Sequence, residues 1–180
     1  MTVPTETELL QRARQLDRQT LTDIYDRYSP GLYRYALRLL GAPELAEECV
    51  SETFMRFLQH LRAGRGPRDY LQAYLYRIAH NWVVDLYRKH VPEVELDESR
   101  AGDAPTVEDA AIRSVRMKTL RTAIRRLTTD QQMVVVLKFV EGWENEDISR
   151  ALGKPVGAVK SLQHRALESL KRILAGQKNI

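Results

Sequence analysis

The chain has 180 residues, 43% of them hydrophobic and 29% charged, with a formal net charge of +4. That is an ordinary soluble composition, enough for one domain or two small ones. No apolar run is long enough to cross a bilayer, and Met1-Thr2-Val3-Pro4-Thr5-Glu6 lacks the basic-then-apolar layout of a signal peptide. The single cysteine permits no internal disulfide, so a reducing cytoplasm is the expected compartment.

Charge is unevenly spread. Residues 91–108 hold Glu93, Glu95, Asp97, Glu98, Asp103 and Glu108 against Arg100, a local net of −5 that leaves +9 on the rest. A basic balance of that size points to a polyanionic partner.

Glu8 to Tyr28 reads as a helix with Leu9, Ala13, Leu16, Leu21, Ile24, Tyr25 and Tyr28 on its apolar side, broken by Ser29-Pro30-Gly31. Leu32 to Leu40 is a second, short helix stopped by Gly41. Pro43 opens a third, to about Leu61, with Ala46, Cys49, Val50, Thr53, Phe54, Phe57, Leu58 and Leu61 at helical spacing. Glu44, Glu47, Glu48 and Glu52 crowd its first half, partly a helix-dipole preference.

Ala63-Gly64-Arg65-Gly66-Pro67-Arg68 is a basic loop, and Asp69 is placed to cap a fourth helix, Tyr70 to about Lys89. Leu71, Leu75, Ile78, Ala79, Trp82, Val83 and Leu86 form that helix's apolar face. Its other side interleaves Tyr70, Tyr74, Arg77, His80, Asn81, Asp85, Arg88 and Lys89. Aromatic and basic residues beside a basic loop can stack unpaired bases and hold phosphates. The same tyrosines and Trp82 serve equally well as packing residues, and taken alone that is the better reading.

His90 to Pro105 is an acidic, aperiodic linker with Pro92 and Gly102. Thr106 with Asp109 resembles a capping box and opens a helix to about Leu127. Thr128 with Gln131 is a second box, opening Asp130 to Val140, with Met133, Val134, Val136, Leu137 and Val140 as its core face and Gly142 as its end.

Glu146 to Leu152, the turn Gly153-Lys154-Pro155, and Val156 to Leu174 then form a helix-turn-helix pattern. Gly153 suits a left-handed C-cap, and Pro155 suits a helix start. Val159, Leu162, Ala166, Leu170 and Ile173 share one side of the second helix, while Lys160, Ser161, His164 and Arg165 fall outside it. Lys154, Lys160, Arg165, Lys171 and Arg172 face only Glu168 between residues 154 and 172, a local net of +4 that suits phosphate contact.

The expected fold is all-α: two small helical domains, residues 1–90 and 106–180, joined by a flexible acidic linker at 91–105, with the helix-turn-helix in the second. No enzyme site emerges. The chain has no glycine-rich phosphate loop and no Glu-x-x-His pair. Its histidines at 60, 80, 90 and 164 are scattered and lack cysteine partners at zinc spacing, and Cys49 reads as a small buried residue, so neither metal nor cofactor is expected.

Four stretches, in order, resemble the extracytoplasmic-function sigma factors of bacterial RNA polymerase. They are Ile24-Tyr25-Asp26-Arg27-Tyr28 with Leu32-Tyr33-Arg34-Tyr35-Ala36; Ala46 to Phe54; Tyr74 to Asn81 with Asp85; and Gly153 to Ser161 with His164-Arg165-Ala166. The resemblance implies binding to RNA polymerase core and direction of that enzyme to promoter DNA. It implies polymerase contacts at Glu48, Ser51, Glu52, Phe54 and Met55, although the family usually has glutamine at the Ser51 position.

It implies minus-ten reading and strand opening by Arg65, Arg68, Tyr70, Tyr74, Arg77, Asn81, Asp85 and Arg88. It implies minus-thirty-five reading by Pro155, Gly157, Lys160, Ser161, His164 and Arg165. The acidic linker would thread through the polymerase near the active centre and RNA exit path. Thr128, Glu144 and Tyr74 depart mildly from the family's usual proline, Ser or Thr, and tryptophan. With no further domain expected after Ile180, control would come from a separate anti-sigma factor.

Two other readings compete: a free-standing helix-turn-helix regulator, dimeric on a palindrome, and a helical protein-interaction module. Co-elution with core polymerase separates the sigma reading from the first, which predicts tight sequence-specific binding by the free protein.

Overall fold

The computed structural model describes residues 5–89 and 107–177. All regular structure among them is helical, and none of these helices is long and apolar enough to cross a membrane. The acidic linker and the expected cap at Thr106 lie outside the described residues.

Helix α1 is Glu6–Arg14 and α2 is Arg18–Leu40. The expected single helix Glu8–Tyr28 is therefore cut earlier than its spacing suggests. Thr5 and Glu8 form a reciprocal capping box at the start of α1. Leu16 takes a left-handed conformation, φ 58°, and the Asp17 carboxylate caps α2 by accepting from the Thr20 N–H and hydroxyl at 2.9 and 2.6 Å.

No break follows at Ser29-Pro30-Gly31, because α2 runs through Pro30. An interior proline costs about 3 kcal/mol. Ile24, Leu32, Tyr35, Ala36 and Leu39 are buried on one face of α2, and each large apolar side chain contributes about 1.5–3 kcal/mol. That burial outweighs the local penalty. Gly31 marks a close approach instead of a stop: a Cβ there would lie 2.7 Å from the Tyr76 hydroxyl.

Helix α3, Pro43–Arg62, buries Ala46, Cys49, Val50, Thr53, Phe54, Phe57 and Leu61, as its spacing predicts. Burial pushes the Cys49 thiol up to about 12, so it stays protonated. Helix α4 is Leu71–Arg88, but Asp69 does not cap it. Tyr70 occupies the N-cap in a left-handed conformation, φ 50°, with no side-chain cap bond. The orphan N–H of Leu71 donates to Oε1 of Glu6 on α1, at 2.6 Å.

Helix α5 is Val107–Arg125 and α6 is Thr129–Val135, opened by the Thr128–Gln131 capping box as expected. The expected continuation to Val140 changes character. Residues Val136–Val140 form a π-helical turn, in which the Glu141 N–H donates to the Val136 carbonyl at 2.9 Å. The wider turn shifts the register. Val135 is buried, while Val140, expected in the core, is 38% exposed beside Phe139 at 54%.

Helices α7, Asn145–Leu152, and α8, Val156–Gln177, complete the helix-turn-helix. Gly153, at φ 64°, ends α7 in the left-handed conformation its position predicts.

The two helical units pack on each other. Tyr76 of α4 meets Trp143 at 4.8 Å between ring centroids, and Arg38 of α2 pairs with Glu141 at 3.3 Å. Arg121 and Arg125 of α5 donate to the carbonyls of Arg38 and Leu40, the last-turn acceptors of α2. Cations are favoured there by the helix dipole.

Candidate DNA and polymerase interface

The C-terminal unit holds its second helix rigidly against its first. Val159, Leu162, Ala166 and Leu170 of α8 are buried with Ile148 and Ala151 of α7. The Gln163 amide donates to Oδ1 of Asn145 at 2.6 Å, and the Ser149 hydroxyl donates across the turn to the Lys154 carbonyl at 2.5 Å. Pro155, Gly157, Lys160, Ser161, His164 and Arg165 are all exposed. From Gly157 onward their spacing puts them on one side of three helical turns. The Ser161 hydroxyl donates to the Gly157 carbonyl and Nε of Arg165 to the Ser161 carbonyl, and the Arg165 side chain lies on the exposed face of the helix.

On α4, Tyr70, Tyr74, Arg77, Asn81, Asp85 and Arg88 follow helical spacing down one stripe. Arg68, Tyr70, Asn81 and Arg88 are exposed, as is Arg65 in the loop, and Asp85 is half-buried. The loop is anchored. Nη2 of Arg14 donates to the Pro67 carbonyl at 2.8 Å, Pro67 is buried, and a Cβ at Gly66 would strike Leu61.

Three side chains of this stripe are already engaged. The Tyr74 hydroxyl bonds Nδ1 of His60 while its ring stands edge-on to Phe57, so Tyr74 is packed into the α3–α4 contact. Burial raises its phenol above the usual range. Nε of Arg77 donates to the Ala151 carbonyl in the last turn of α7, at 2.7 Å. The Arg150 guanidinium lies over the Tyr70 ring, 4.1 Å from its centroid.

On α3, Glu48, Ser51 and Met55 are exposed along one edge, and Glu52 on the same edge is half-buried. Glu52 pairs with Arg56 at 3.7 Å. Phe54 is not on that edge; it is 8% exposed and packs on Tyr25 at 4.8 Å between centroids. Its part is therefore to hold α3 from within.

Beside this edge, sequence reasoning missed an apolar groove lined by Leu16, Leu21, Tyr25, Phe54, Phe57 and Leu58. Leu16 and Tyr25 are 41% and 46% exposed, although periodicity counted both as core. The Asp17–Thr20 cap was the signal that could have cut the first helix and turned Leu16 outward.

Sequence comparison agrees with this layout. A Sigma-70 region 2 model matches residues 24–92, and a Sigma-70 region 4 model matches residues 117–170. The ECF RNA polymerase sigma factor BldN of Streptomyces coelicolor is 34% identical over 171 residues, which cover 93% of this chain and 65% of that protein. The chain thus spans just under two thirds of that relative. The ECF RNA polymerase sigma factor SigW of Bacillus subtilis is 29% identical over 177 residues, covering 92% and 94%.

In fold the chain is similar to CnrH, solved with the cytosolic domain of CnrY, at 24% identity and a TM-score of 0.66 over 95% of this chain and 97% of that one. It is also similar to the sigma factor RpoE of Bartonella quintana, solved with the anti-sigma factor NepR, at 21% identity and a TM-score of 0.59 over 86% and 96%. The chain belongs to the sigma-70 family, in its extracytoplasmic-function (ECF) group.

Proposed function

We propose that this protein binds core RNA polymerase and directs it to promoters, as a transcription initiation factor of the cytoplasm with no catalytic centre of its own. Residues 1–90 carry polymerase binding and minus-ten recognition, and residues 106–180 carry minus-thirty-five recognition. Residues 91–105 connect them, acidic enough to occupy a basic nucleic-acid channel until RNA displaces them. A separate anti-sigma factor is the expected regulator, through the family.

The observation that carries this reading is the cationic, exposed stripe of α8 on a helix-turn-helix, joined to a second unit whose α3 presents a row of acids. A free-standing regulator would leave that second unit without a task.

Run-off transcription with core enzyme on the DNA upstream of the chain's own coding sequence tests it. A discrete transcript that depends on the protein is expected. Lys160→Ala with Arg165→Ala should relax promoter choice by about 1–3 kcal/mol for each base no longer read, and should lower the salt slope by about one for each phosphate no longer neutralised. Absence of any core-dependent transcript, with tight palindrome binding by a homodimer, would transfer the protein to the repressor class.

A further inference from the structure

Helix α1 carries none of the residues assigned to DNA or to polymerase, yet it grips the loop before α4 at two points. In the last turn of α1, Nη2 of Arg14 donates to the Pro67 carbonyl at 2.8 Å. In its first turn, Oε1 of Glu6 accepts from the Leu71 N–H at 2.6 Å. Both bonds involve a charged group, which makes them the stronger class of hydrogen bond. Between the two points run Arg68, Asp69 and Tyr70, all exposed. Leu10 and Ala13 of α1 are buried, so the grip comes from a helix that is itself fixed to the core.

The end of α3 holds the same loop from its other side. The Arg65 N–H donates to the His60 carbonyl at 2.8 Å, and Gly66 lies against Leu61. Tyr70 then takes its left-handed conformation, φ 50°, which a bulky residue rarely adopts. Strain of that kind persists only where the surroundings over-determine it. Here the backbone is pinned on both sides of Tyr70, and the second pin takes the N–H immediately after it.

We propose, on the reading just given, that Glu6 and Arg14 are positioning residues for promoter strand capture. They touch no DNA. They hold the backbone of residues 67–71 so that the Tyr70 ring is presented at the head of the α4 stripe before a strand arrives. A loop already fixed in its binding conformation loses less conformational entropy when it binds. Released from α1, Tyr70 would relax toward ordinary negative φ, and its ring would leave that place. Glu6 and Arg14 are both exposed, so the buried face of α1 survives their replacement.

The test uses the full chain as wild type, Arg14→Ala, Glu6→Ala, Glu6→Gln, Tyr70→Ala, and the double variant Arg14→Ala with Tyr70→Ala. Circular dichroism verifies helicity, and titration of labelled core enzyme verifies polymerase binding. Amide exchange read by mass spectrometry over residues 67–71 should quicken in Arg14→Ala and Glu6→Ala. Transcription from a duplex promoter should fall roughly three- to tenfold in each, the weight of one or two side chains that must be immobilised on binding. Glu6→Gln should recover most of the loss, because its amide oxygen still accepts. In the Tyr70→Ala background, Arg14→Ala should cost less than about twofold more, since a residue that acts through Tyr70 has nothing left to position.

Unchanged exchange in the alanine variants overturns the proposal. So does faster exchange with undiminished transcription. A full further loss in the Tyr70→Ala background also overturns it and makes α1 a support of the fold alone. If wild type itself yields no core-dependent transcript, the sigma reading fails, and anisotropy of a fluorescein-labelled 20-nucleotide single strand decides the positioning claim separately. The claim then stands if Arg14→Ala weakens strand binding about threefold or more, and falls if it does not.

Discussion

Nε2–H of His80 donates to the backbone carbonyl of Thr129, 2.9 Å away in the other helical unit. That carbonyl can only accept, so Nδ1 of the neutral ring must accept from the Tyr35 hydroxyl, at 2.6 Å. The imidazole is 1% exposed, and burial lowers its pKa to about 4, against the smaller opposing pulls of the Thr129 carbonyl and the Asp130 charge. A histidine with a depressed folded pKa contributes stability that is fully present above its unfolded value. That contribution is lost as pH falls from about 6.5 toward 4, because the unfolded chain takes up the proton first.

The loss attributable to His80 is on the order of 3 kcal/mol. His80→Gln should flatten the pH dependence of urea unfolding between pH 6.5 and 4. Equal slopes for the variant and wild type would show that this ring does not govern acid stability.

Glu6 caps a helix that begins 65 positions further along the chain, through the 2.6 Å bond from the Leu71 N–H. Leu71 is fully buried, so its N–H has little recourse to water when the carboxylate is removed. Glu6→Ala should cost about 1–2 kcal/mol, and Glu6→Gln less, because the amide oxygen still accepts. The midpoint of chemical denaturation reads both; no difference between them and wild type would remove the cap from the account.

Phe54 and Glu52 lie on the same helix and should fail in opposite ways. Phe54→Ala deletes a buried ring packed on Tyr25 and should destabilise by about 3–5 kcal/mol. Glu52→Lys loses one surface pair with Arg56 and should change stability by no more than about 0.5 kcal/mol. It should nevertheless weaken core binding roughly tenfold, the weight of about 1.4 kcal/mol. Titration of labelled core enzyme distinguishes the two, and unimpaired binding by Glu52→Lys would make α3's acids a solvated face.

Tyr70, not Tyr74, is the exposed aromatic at the head of the α4 stripe. A base stacked on it is worth about 1–3 kcal/mol. Tyr70→Ala should depress transcription from a duplex promoter, and a template with a pre-formed bubble should restore much of the loss. An equal defect on both templates, with a lower melting temperature, would mark Tyr70 as a fold residue.

The all-helical class, the helix-turn-helix and its exposed cationic stripe, the Thr128–Gln131 cap and the buried face of α3 were legible in the sequence; on α4 the apolar stripe was legible, but Ala73, Tyr76, Val84 and His80, read as part of the polar side, are buried as well. The legible features are local matters of period, cap and charge, and nearest neighbours in sequence settle them.

Other features depend on contacts between segments far apart in the chain. Pro30 stays inside α2 because the face on either side of it is buried, a gain that no local rule weighs. Glu6 displaces Asp69 as the partner of α4's first turn because α1 folds back beside it. The π-turn at Val136–Val140 turns Val140 outward, although its apolar spacing reads as ordinary helix. Arg77 and Tyr70 lie against α7 because Ala151 and Arg150, more than seventy residues away, are brought to them. Composition can announce that a guanidinium and an aromatic ring are present on a helix, but which partner they meet first depends on how two units pack, and that energy is summed over surfaces that only form together.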